Sequence, residues 1–265
     1  MSTVDIIIPT CGQTGFTKNC FRSLRENTDI YRVIWVDNGS SRHSRQEVMK
    51  ELQTMPQHMS VWSSERLGFV GATNLGLRMA LEVSPTDSPY IVFLNNDVEV
   101  TSGWLSRMTG LLDREPEIHA IGPITSECHS WQSFLNAGLV VPTFQIPHEF
   151  EVLDTIGRAN ALAYAYGDLW RPCNMLAFFC TVIRKSVFKT IGYLDKQFKE
   201  GLGDDDDFCK SMRDENLQCA LSMGTYVFHN HRTTFSGLYS NREIDVLSAE
   251  HHTIYRQKHG ESAKV

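Results

Sequence analysis

Strand-like runs alternate with longer amphipathic stretches through the first hundred residues. The strand-like runs are Val4 to Ile8, Arg32 to Val36, Ser60 to Trp62 and Tyr90 to Leu94, and the amphipathic stretches are Thr17 to Glu26, Ser44 to Gln53 and Ala72 to Glu82. This alternation is typical of βαβ units and predicts a parallel sheet. At residues 6–8, 33–36 and 91–94 the apolar residues are continuous, which indicates strands covered by helices on both faces.

A polar cluster follows each of the three continuous apolar runs. The clusters are Pro9-Thr10, Asp37 to Ser40 and Asn95 to Asp97. Ligands of parallel sheets bind outside the carboxyl ends of the strands. We therefore expect these three clusters to meet on one edge of the sheet.

The second half of the chain has a weaker pattern. Gly103 to Arg114 reads as a helix after a Ser102 cap, whereas Thr125 to Pro172 is the least periodic region and predicts loops and irregular strands. Order returns at Leu176 to Arg184, Lys185 to Ile191, Asp206 to Glu215, Thr225 to His231 and a final helix from Glu243 to Lys258. No linker or low-complexity stretch divides the chain, so we expect one domain.

Composition and charge exclude several classes of protein. The 265 residues are 42% hydrophobic and 21% charged, which is ordinary for a globular protein and argues against disorder and repeats. The formal charge of −6 offers no broad basic field for a phosphate backbone, so we expect no nucleic-acid partner.

Cysteine usage and hydropathy predict a cytoplasmic protein. The seven cysteines are odd in number and include no CxxC pair, which favours reduced thiols over disulfides or a zinc site. No secretion signal follows Met1, and the longest apolar run, Leu176 to Ile183, is far shorter than the ~20 residues that cross a bilayer. We expect a soluble chain with at most peripheral contact at the inner face of the membrane.

Carboxylates at strand ends are candidate ligands. Asp97 follows an apolar strand, where a carboxylate can hold a divalent cation against a diphosphate, although Asn95-Asn96-Asp97 also reads as a turn. Asp37 also has two interpretations. Its carboxylate could accept a hydrogen bond from a nucleobase or ribose, or Asp37 could simply precede a tight turn at Asn38-Gly39.

Two further groups could carry chemistry. Asp204 to Asp207 could hold a cation or take a proton, or could be a solvated acidic helix start. His229 and His231 should share one face of a strand, where imidazole suits manganese, or one could be a buried, hydrogen-bonded histidine. Gly68, Gly71 and Gly76 do not form the dinucleotide-binding motif GxGxxG, and the phosphate-loop motif GxxxxGK[ST] does not occur. The sequence therefore argues against NAD binding and ATP hydrolysis.

In this order, the segments resemble family 2 inverting glycosyltransferases with the GT-A fold, especially the bacterial rhamnosyltransferase-like branch. The resemblance runs from about Val4 to Phe235 and rests on Ile8 to Thr10, Val36 to Ser41, Gly68 to Gly76, Leu94 to Val98, Ile191 to Asp195, Gly203 to Cys209 and Phe228-His229. It implies one α/β, Rossmann-like domain with a central, mostly parallel sheet flanked by helices. Residues 1–100 would bind the nucleotide sugar, 101–240 would form the acceptor and catalytic half, and 241–265 a helix and tail.

The resemblance also implies residue roles. Donor binding is implied for Pro9, Thr10, Asp37, Arg66, Gly71, Asn74, Asn95 and Asn96. Asp97 and His229 would hold Mn²⁺ or Mg²⁺, and Asp205 would be the catalytic base. Asp204 and Asp207 are further candidates in the acidic run, and His231 is a second candidate ligand. The sequence departs from the family pattern at Asp204, where Glu is usual, and at Arg66, where Asn is common.

The implied activity is transfer of a sugar from a nucleoside diphosphate to a hydroxyl of a glycan or glycolipid acceptor. Uracil and thymine offer Asp37 the same N3 donor, so UDP-sugars and dTDP-rhamnose are both candidate donors. We expect residues 125–172 to contact the acceptor. The resemblance also implies a role in surface polysaccharide synthesis. Two alternative functions fit the sequence less well. A metal-dependent nucleotidyltransferase would need more basic residues beside the first strand to bind a triphosphate. A catalytically silent sugar-nucleotide binding module would have no need of the acidic run at Asp204 to Asp207.

Overall fold

A central sheet organises the structure, a computed structural model that describes residues 3–126, 128, 130–134, 136–139, 154–230 and 238–260. Within these residues the sheet has nine strands: β1 Val4–Thr10, β2 Tyr31–Asn38, β3 His58–Ser63, β4 Tyr90–Leu94, β5 Val98–Val100, β6 Ile118–Ile124, β7 Trp170–Cys173, β8 Cys180–Arg184 and β9 Gln218–His229. Their order is β3-β2-β1-β4-β8-β6-β9-β5, and β7 also pairs with β9.

Most of the strands run in one direction. β3, β2, β1 and β4 are mutually parallel, and β6 and β9 form a further parallel pair. β8 lies antiparallel between β4 and β6, while β5 and β7 run antiparallel to β9. The expected single α/β domain with a mostly parallel sheet is therefore confirmed.

Eight α-helices connect these strands in the described residues: α1 Thr14–Asn27, α2 Arg42–Leu52, α3 Gly68–Arg78, α4 Trp104–Arg114, α5 Thr155–Tyr166, α6 Lys185–Thr190, α7 Asp204–Asp214 and α8 Asn241–His259. Side-chain caps fix several starts, because they satisfy backbone N–H groups that have no partner in a first helical turn. Ser41 accepts from the N–H of Ser44 at the start of α2. Ser240 and Glu243 form a reciprocal capping box at the start of α8.

The sheet is buried on both faces, as the continuous apolar runs predict. In β1, Ile7 packs into one hydrophobic cluster while Ile6 and Ile8 pack into the other, on the opposite face. In β2, Ile34 and Val33 are divided in the same way. Successive side chains of a strand point to opposite faces, so a strand between two helix layers needs apolar residues at every position.

Several elements differ from the sequence-based prediction, among them β5, which was not predicted, and β9, which starts at Gln218 and not at Thr225. β6 was not predicted, because Gly122 and Pro123 interrupt its apolar run. α5 lies in the region expected to be irregular, and its alternate alanines give no amphipathic pattern. The acidic residues form the first turn of α7, which starts at Asp204 and not at Asp206.

Two glycines of α3 allow other segments to approach closely. A Cβ on Gly76 would lie 2.4 Å from the Cγ2 of Ile7, so glycine lets the helix pack directly on β1. Gly68 has a φ of +72°, and a Cβ there would lie 2.2 Å from the carbonyl oxygen of Lys199. That carbonyl accepts from the N–H of Val70 at 3.1 Å. The start of α3 is thus joined to the loop that leads into α7.

Candidate functional site

A cavity of about 590 Å³ opens at the carboxyl ends of β1, β2 and β4. Its walls include the predicted residues Pro9, Thr10, Arg66, Asn95, Asn96, Asp97, His229, Asp204 and Asp205, together with Asn38, Glu200, Asp206, Tyr239 and four side chains of α8. Residues far apart in the sequence therefore meet where ligands of parallel sheets bind.

Asp97 and His229 lie against each other because β5 pairs with the end of β9. Val98 is directly opposite His229 in this ladder, and the N–H of Asn230 donates to the carbonyl of Asp97 at 3.0 Å. The Nε2 of His229 lies 3.4 Å from the Oδ1 of Asp97, and the two side chains are 8% and 5% exposed. The ring of Phe179 stacks on the imidazole at a centroid distance of 4.6 Å and fixes its plane.

The chemistry of this pair fits a divalent cation. A carboxylate oxygen and an imidazole nitrogen are ligands that Mn²⁺ accepts. At a separation of 3.4 Å, the Nε2 of His229 and the Oδ1 of Asp97 would be near enough to bind one cation together. Within the described residues, no group of three or more His, Cys, Asp or Glu side chains is arranged to hold a metal. A cation at this pair would need further ligands from water or a phosphate. His231, the other predicted ligand, lies outside the described residues.

The two asparagines beside Asp97 are held in different ways. Asn96 donates from Nδ2 to the Oγ1 of Thr17 at 3.0 Å, while the backbone N–H of Asn95 donates to the carbonyl of Phe179 at 2.8 Å. Phe179 thus contacts both His229 and the loop that carries Asp97. These two hydrogen bonds hold the turn of Asn95 to Asp97 in place.

Asp37 is completely buried at the end of β2 and does not itself line the cavity. One carboxylate oxygen accepts from Arg45, whose guanidinium lies 4.4 Å from the ring centre of Trp62. The other, Oδ1, is buried and has no hydrogen-bond partner among the described residues. Its neighbour Asn38 lines the cavity and binds the backbone of Leu67 and Gly68, which fixes the loop before α3. Nothing in the sequence distinguished Asn38 from an ordinary turn residue.

The acidic run begins α7 after three residues with left-handed backbone. The φ angles of Gly201, Leu202 and Gly203 are +95°, +66° and +113°. Asp204, Asp205 and Asp206 follow and line the cavity. Burial raises the pKa of Asp205, against the effect of the N–H of Asp206, which donates to its Oδ1 at 2.9 Å. Burial and then the charge of Asp205 raise the pKa of Asp206 to about 7.

Asp207, the fourth acidic residue, faces away from the cavity. Its carboxylate accepts from the Nζ of Lys258 at 2.9 Å and from the Nε2 of His259 at 2.7 Å, both in the last turn of α8. Gly71 and Asn74 also lie outside the cavity, and the side-chain amide of Asn74 makes two hydrogen bonds with the backbone of Leu194. Asp207, Gly71 and Asn74 therefore do not line the cavity.

Arg66 meets two residues that the sequence did not single out. Its Nη2 lies 2.7 Å from the Oε2 of Glu200, and its guanidinium lies 4.9 Å from the ring centre of Tyr239. Burial, and next the charge of Glu200, raises the pKa of Tyr239. No motif marks Glu200 or Tyr239, because their role depends only on where the loops before α7 and α8 converge.

Helix α8 forms one wall of the cavity. Ser248, His251, His252 and Tyr255 face it, and the imidazole Nδ1 of His251 lies 3.1 Å from the carbonyl oxygen of Leu202. The sequence predicted this helix but did not indicate that it would line the cavity. In the part of the chain that the structure describes, no helix is both long and apolar enough to span a bilayer.

Comparisons with known proteins agree with this architecture. Residues 5–192 match the family described as Glycosyl transferase family 2. A curated relative, "Putative glycosyltransferase TagX" of Staphylococcus aureus (strain MRSA252), is 26% identical over 116 residues, which cover 44% of this chain and 32% of the relative. This chain thus aligns with about a third of that protein's length.

Solved structures of glycosyltransferases share the fold. The mannosyltransferase PcManGT from Pyrobaculum calidifontis, in complex with GDP-Man and Mn²⁺, has a TM-score of 0.66 at 15% identity, covering 100% of this chain and 66% of that one. S. aureus TarS 1-349 has a TM-score of 0.57 at 12% identity, covering 97% and 74%. At these identities the likeness shows the fold alone. Since the family match spans most of the sequence, this chain belongs to glycosyl transferase family 2 and has the GT-A fold.

Proposed function

We propose that the chain transfers a sugar, with inversion and in the presence of a divalent cation, from a nucleoside diphosphate to a hydroxyl of a glycan or glycolipid. The observation that carries the proposal is the meeting of two groups in one cavity: the pair of Asp97 and His229, and the acidic start of α7. The first suits a diphosphate with its cation and the second suits proton removal, and sugar transfer requires both.

The donor would bind at the ends of β1, β2 and β4. Oδ1 of Asp37, buried without a hydrogen-bond partner among the described residues, would accept from N3–H of uracil or thymine once the base reached it. Pro9, Thr10, Asn95 and Asn96 would contact the rest of the nucleotide, and Arg66 would contact the diphosphate. A UDP-sugar or dTDP-rhamnose remains our proposed donor. Two structures that share the fold contain GDP-Man and UDP, each with Mn²⁺.

Asp97 and His229 would hold Mn²⁺ or Mg²⁺. When bound, the cation stabilises the negative charge that develops on the departing diphosphate. The two side chains need little reorganisation, because β-sheet pairing and the stacked ring of Phe179 already hold them together. Pre-organised groups of this kind are effective because they do not have to be ordered during the reaction.

Asp205 would act as the base on the acceptor side. Its carboxylate takes the proton of the acceptor hydroxyl as the acceptor oxygen bonds to the anomeric carbon. The bond from that carbon to the diphosphate oxygen breaks, and its electron pair leaves with the nucleoside diphosphate. Attack opposite the leaving group inverts the configuration. Burial raises the pKa of Asp205, which makes the carboxylate a better proton acceptor than an exposed one.

The cellular setting we propose is the cytoplasmic side of a membrane, in surface polysaccharide synthesis. All seven cysteines are free thiols, which is the expected state in a reducing compartment. The acceptor would be lipid-linked or an extended glycan, reached from the side of residues 125–172. Part of that region lies outside the described residues.

A binding panel followed by an activity assay tests the proposal. Thermal stability is measured with UDP, dTDP and GDP, each with manganese and with chelator, since a ligand of the folded state raises the melting temperature. We expect at least one nucleotide to stabilise the protein only with manganese, and its sugar derivative to release free nucleoside diphosphate. Lack of stabilisation by all three would overturn the proposal. Release of pyrophosphate from a nucleoside triphosphate and a sugar phosphate would instead identify a nucleotidyltransferase.

A further inference from the structure

Asp204 and Asp207 are two equally buried carboxylates in one helical turn with opposite surroundings. They are 4% and 3% exposed. Asp207 binds the cationic side chain of Lys258 and the ring N–H of His259. Asp204 contacts no cationic side chain in the described residues, and its Oδ2 is buried with no hydrogen-bond partner among them. A buried charge without a partner is so unfavourable that such a group normally takes up a proton.

The groups around Asp204 strengthen this tendency. Asp205 and Asp206 follow it on α7 and carry the same charge when ionised. From the neighbouring elements, the Nδ1 of His251 lies against the carbonyl of Leu202, and Arg66 is paired with Glu200, so neither His251 nor Arg66 neutralises Asp204. Burial, and then the charge of Asp205, raises the pKa of Asp204 well above its ordinary value.

Asp204 and Asp205 also face different parts of the cavity. A Cβ on Gly201 would lie 3.5 Å from the Oδ1 of Asp204 and 3.6 Å from the Cβ of Phe69, so Asp204 is on the side of α3. Asp205 is on the other side, near the Cys128 thiol, whose pKa is raised by burial and, to a smaller extent, by the charge of Asp205. α3 belongs to the half of the chain that we expect to hold the donor.

We propose that Asp204 takes part as a neutral carboxyl, which donates a hydrogen bond from Oδ2 to a hydroxyl of the donor sugar. The inference rests on the function proposed above and makes Asp204 a residue that selects the sugar, whereas Asp205 is the base. A protonated carboxyl has one O–H that can donate a hydrogen bond. Because this O–H is buried, a sugar that lacks the accepting hydroxyl would leave it without a hydrogen-bond partner, which is unfavourable. Sites of this type strongly discriminate against analogues that lack the hydroxyl.

The protonation state is tested first, on the free protein. Infrared spectra at pH 8 should show a protonated carboxyl band that Asp204→Asn removes and Asp207→Asn leaves in place. Thermal stability gives a second readout: Asp204→Asn should melt at or above the wild-type temperature, since a neutral amide replaces a neutral acid, and Asp207→Asn should melt lower. A band of undiminished intensity in Asp204→Asn, or a lower melting temperature for that variant, would overturn the neutral state.

The role in sugar binding is tested with UDP-glucose against UDP and dTDP-rhamnose against dTDP, in manganese. Asp204→Ala should weaken the sugar nucleotide by about tenfold, while Asp204→Asn, which keeps an N–H donor, should bind within about threefold of wild type. Plain nucleotides should bind all three proteins equally. Equal sugar-nucleotide affinity in Asp204→Ala, or loss of transfer in Asp204→Asn as complete as in Asp205→Asn, would overturn the assignment. If neither nucleotide binds wild type, the assignment of a UDP or dTDP donor fails and the infrared result still stands.

Discussion

The imidazole Nε2 of His259 lies 2.7 Å from the Oδ1 of Asp207 and joins the last turn of α8 to the first turn of α7. Lys258 holds the other oxygen of the same carboxylate at 2.9 Å. The acidic run therefore has two parts: three carboxylates that line the cavity, and a fourth that holds α8, which forms one wall of the cavity.

Removing this link should destabilise the protein. Asp207→Asn leaves His259 and Lys258 without their anionic partner, and breaking a buried pair is expected to lower the free energy of unfolding by about 3 kcal/mol. Urea denaturation measures the loss. Asp214→Asn is the control on the same helix, since Asp214 pairs with Lys210 at the surface and should leave the midpoint unchanged. Equal effects of the two variants would contradict a structural role for Asp207.

Asp97 should make nucleotide binding depend on the cation. Asp97→Ala is expected to remove most of the difference between the affinities for UDP or dTDP in manganese and in chelator, because one of the two proposed protein ligands is lost. Calorimetric titration measures it. Equal wild-type affinities in the two conditions would rule out the metal assignment.

His229 is predicted to be the second metal ligand in preference to His231. His229→Ala should raise the manganese concentration required for binding, whereas His231→Ala should not. The support is the 3.4 Å separation of His229 from Asp97 and the stacked Phe179. The same titration with both alanine variants decides, and a loss confined to His231→Ala would reverse the assignment.

Asp205→Asn should abolish transfer and leave donor binding intact. Loss of a general base lowers the rate by ~10² to 10⁴ while the donor dissociation constant stays the same, because the base acts on the acceptor. Rates and affinities are compared with those of Asp206→Asn, which lines the same cavity. If Asp206→Asn is the inactive variant, the base is one residue further along α7.

Asp206 should make stability depend on pH. Its pKa in the folded protein, about 7, exceeds the ~3.9 of an unfolded chain, so the folded state binds the proton more tightly. This favourable contribution is complete below pH 4 and is lost as the pH rises through 7. The melting temperature of Asp206→Asn relative to wild type should therefore increase between pH 5 and pH 8. A constant difference across that range would contradict the raised pKa.

Sequence patterns predicted the parallel strands of the first hundred residues because these strands are marked by consecutive apolar residues. The runs that became β1, β2 and β4 are apolar at nearly every position, and this requirement can be read from consecutive residues. α5 could not be read in this way, since only Leu162 is buried and its alanines fit almost any environment. Pro9, Asn95 and Asp97 could be located at strand ends from the same pattern.

The remaining parts of the site depend on contacts between distant residues. Asp207 resembles its three neighbours in sequence, and only Lys258 and His259, some fifty residues later, distinguish it. Glu200 and Tyr239 carry no motif and are identified only by their contact with Arg66. Single-sequence reasoning supplies the residue types, whereas packing decides which of several like residues faces the cavity.

The pairing of β5 with β9 has a consequence for the order of events on the ribosome. Asp97 is synthesised 132 residues before His229, a delay on the order of 10 s at ~5 to 20 residues per second. During that interval the nascent chain already contains β1 to β4 and the helices between them, but Val98 has no strand to pair with. The contact between Asp97 and His229 therefore forms among the last contacts of folding, and a chain interrupted before residue 229 would lack it.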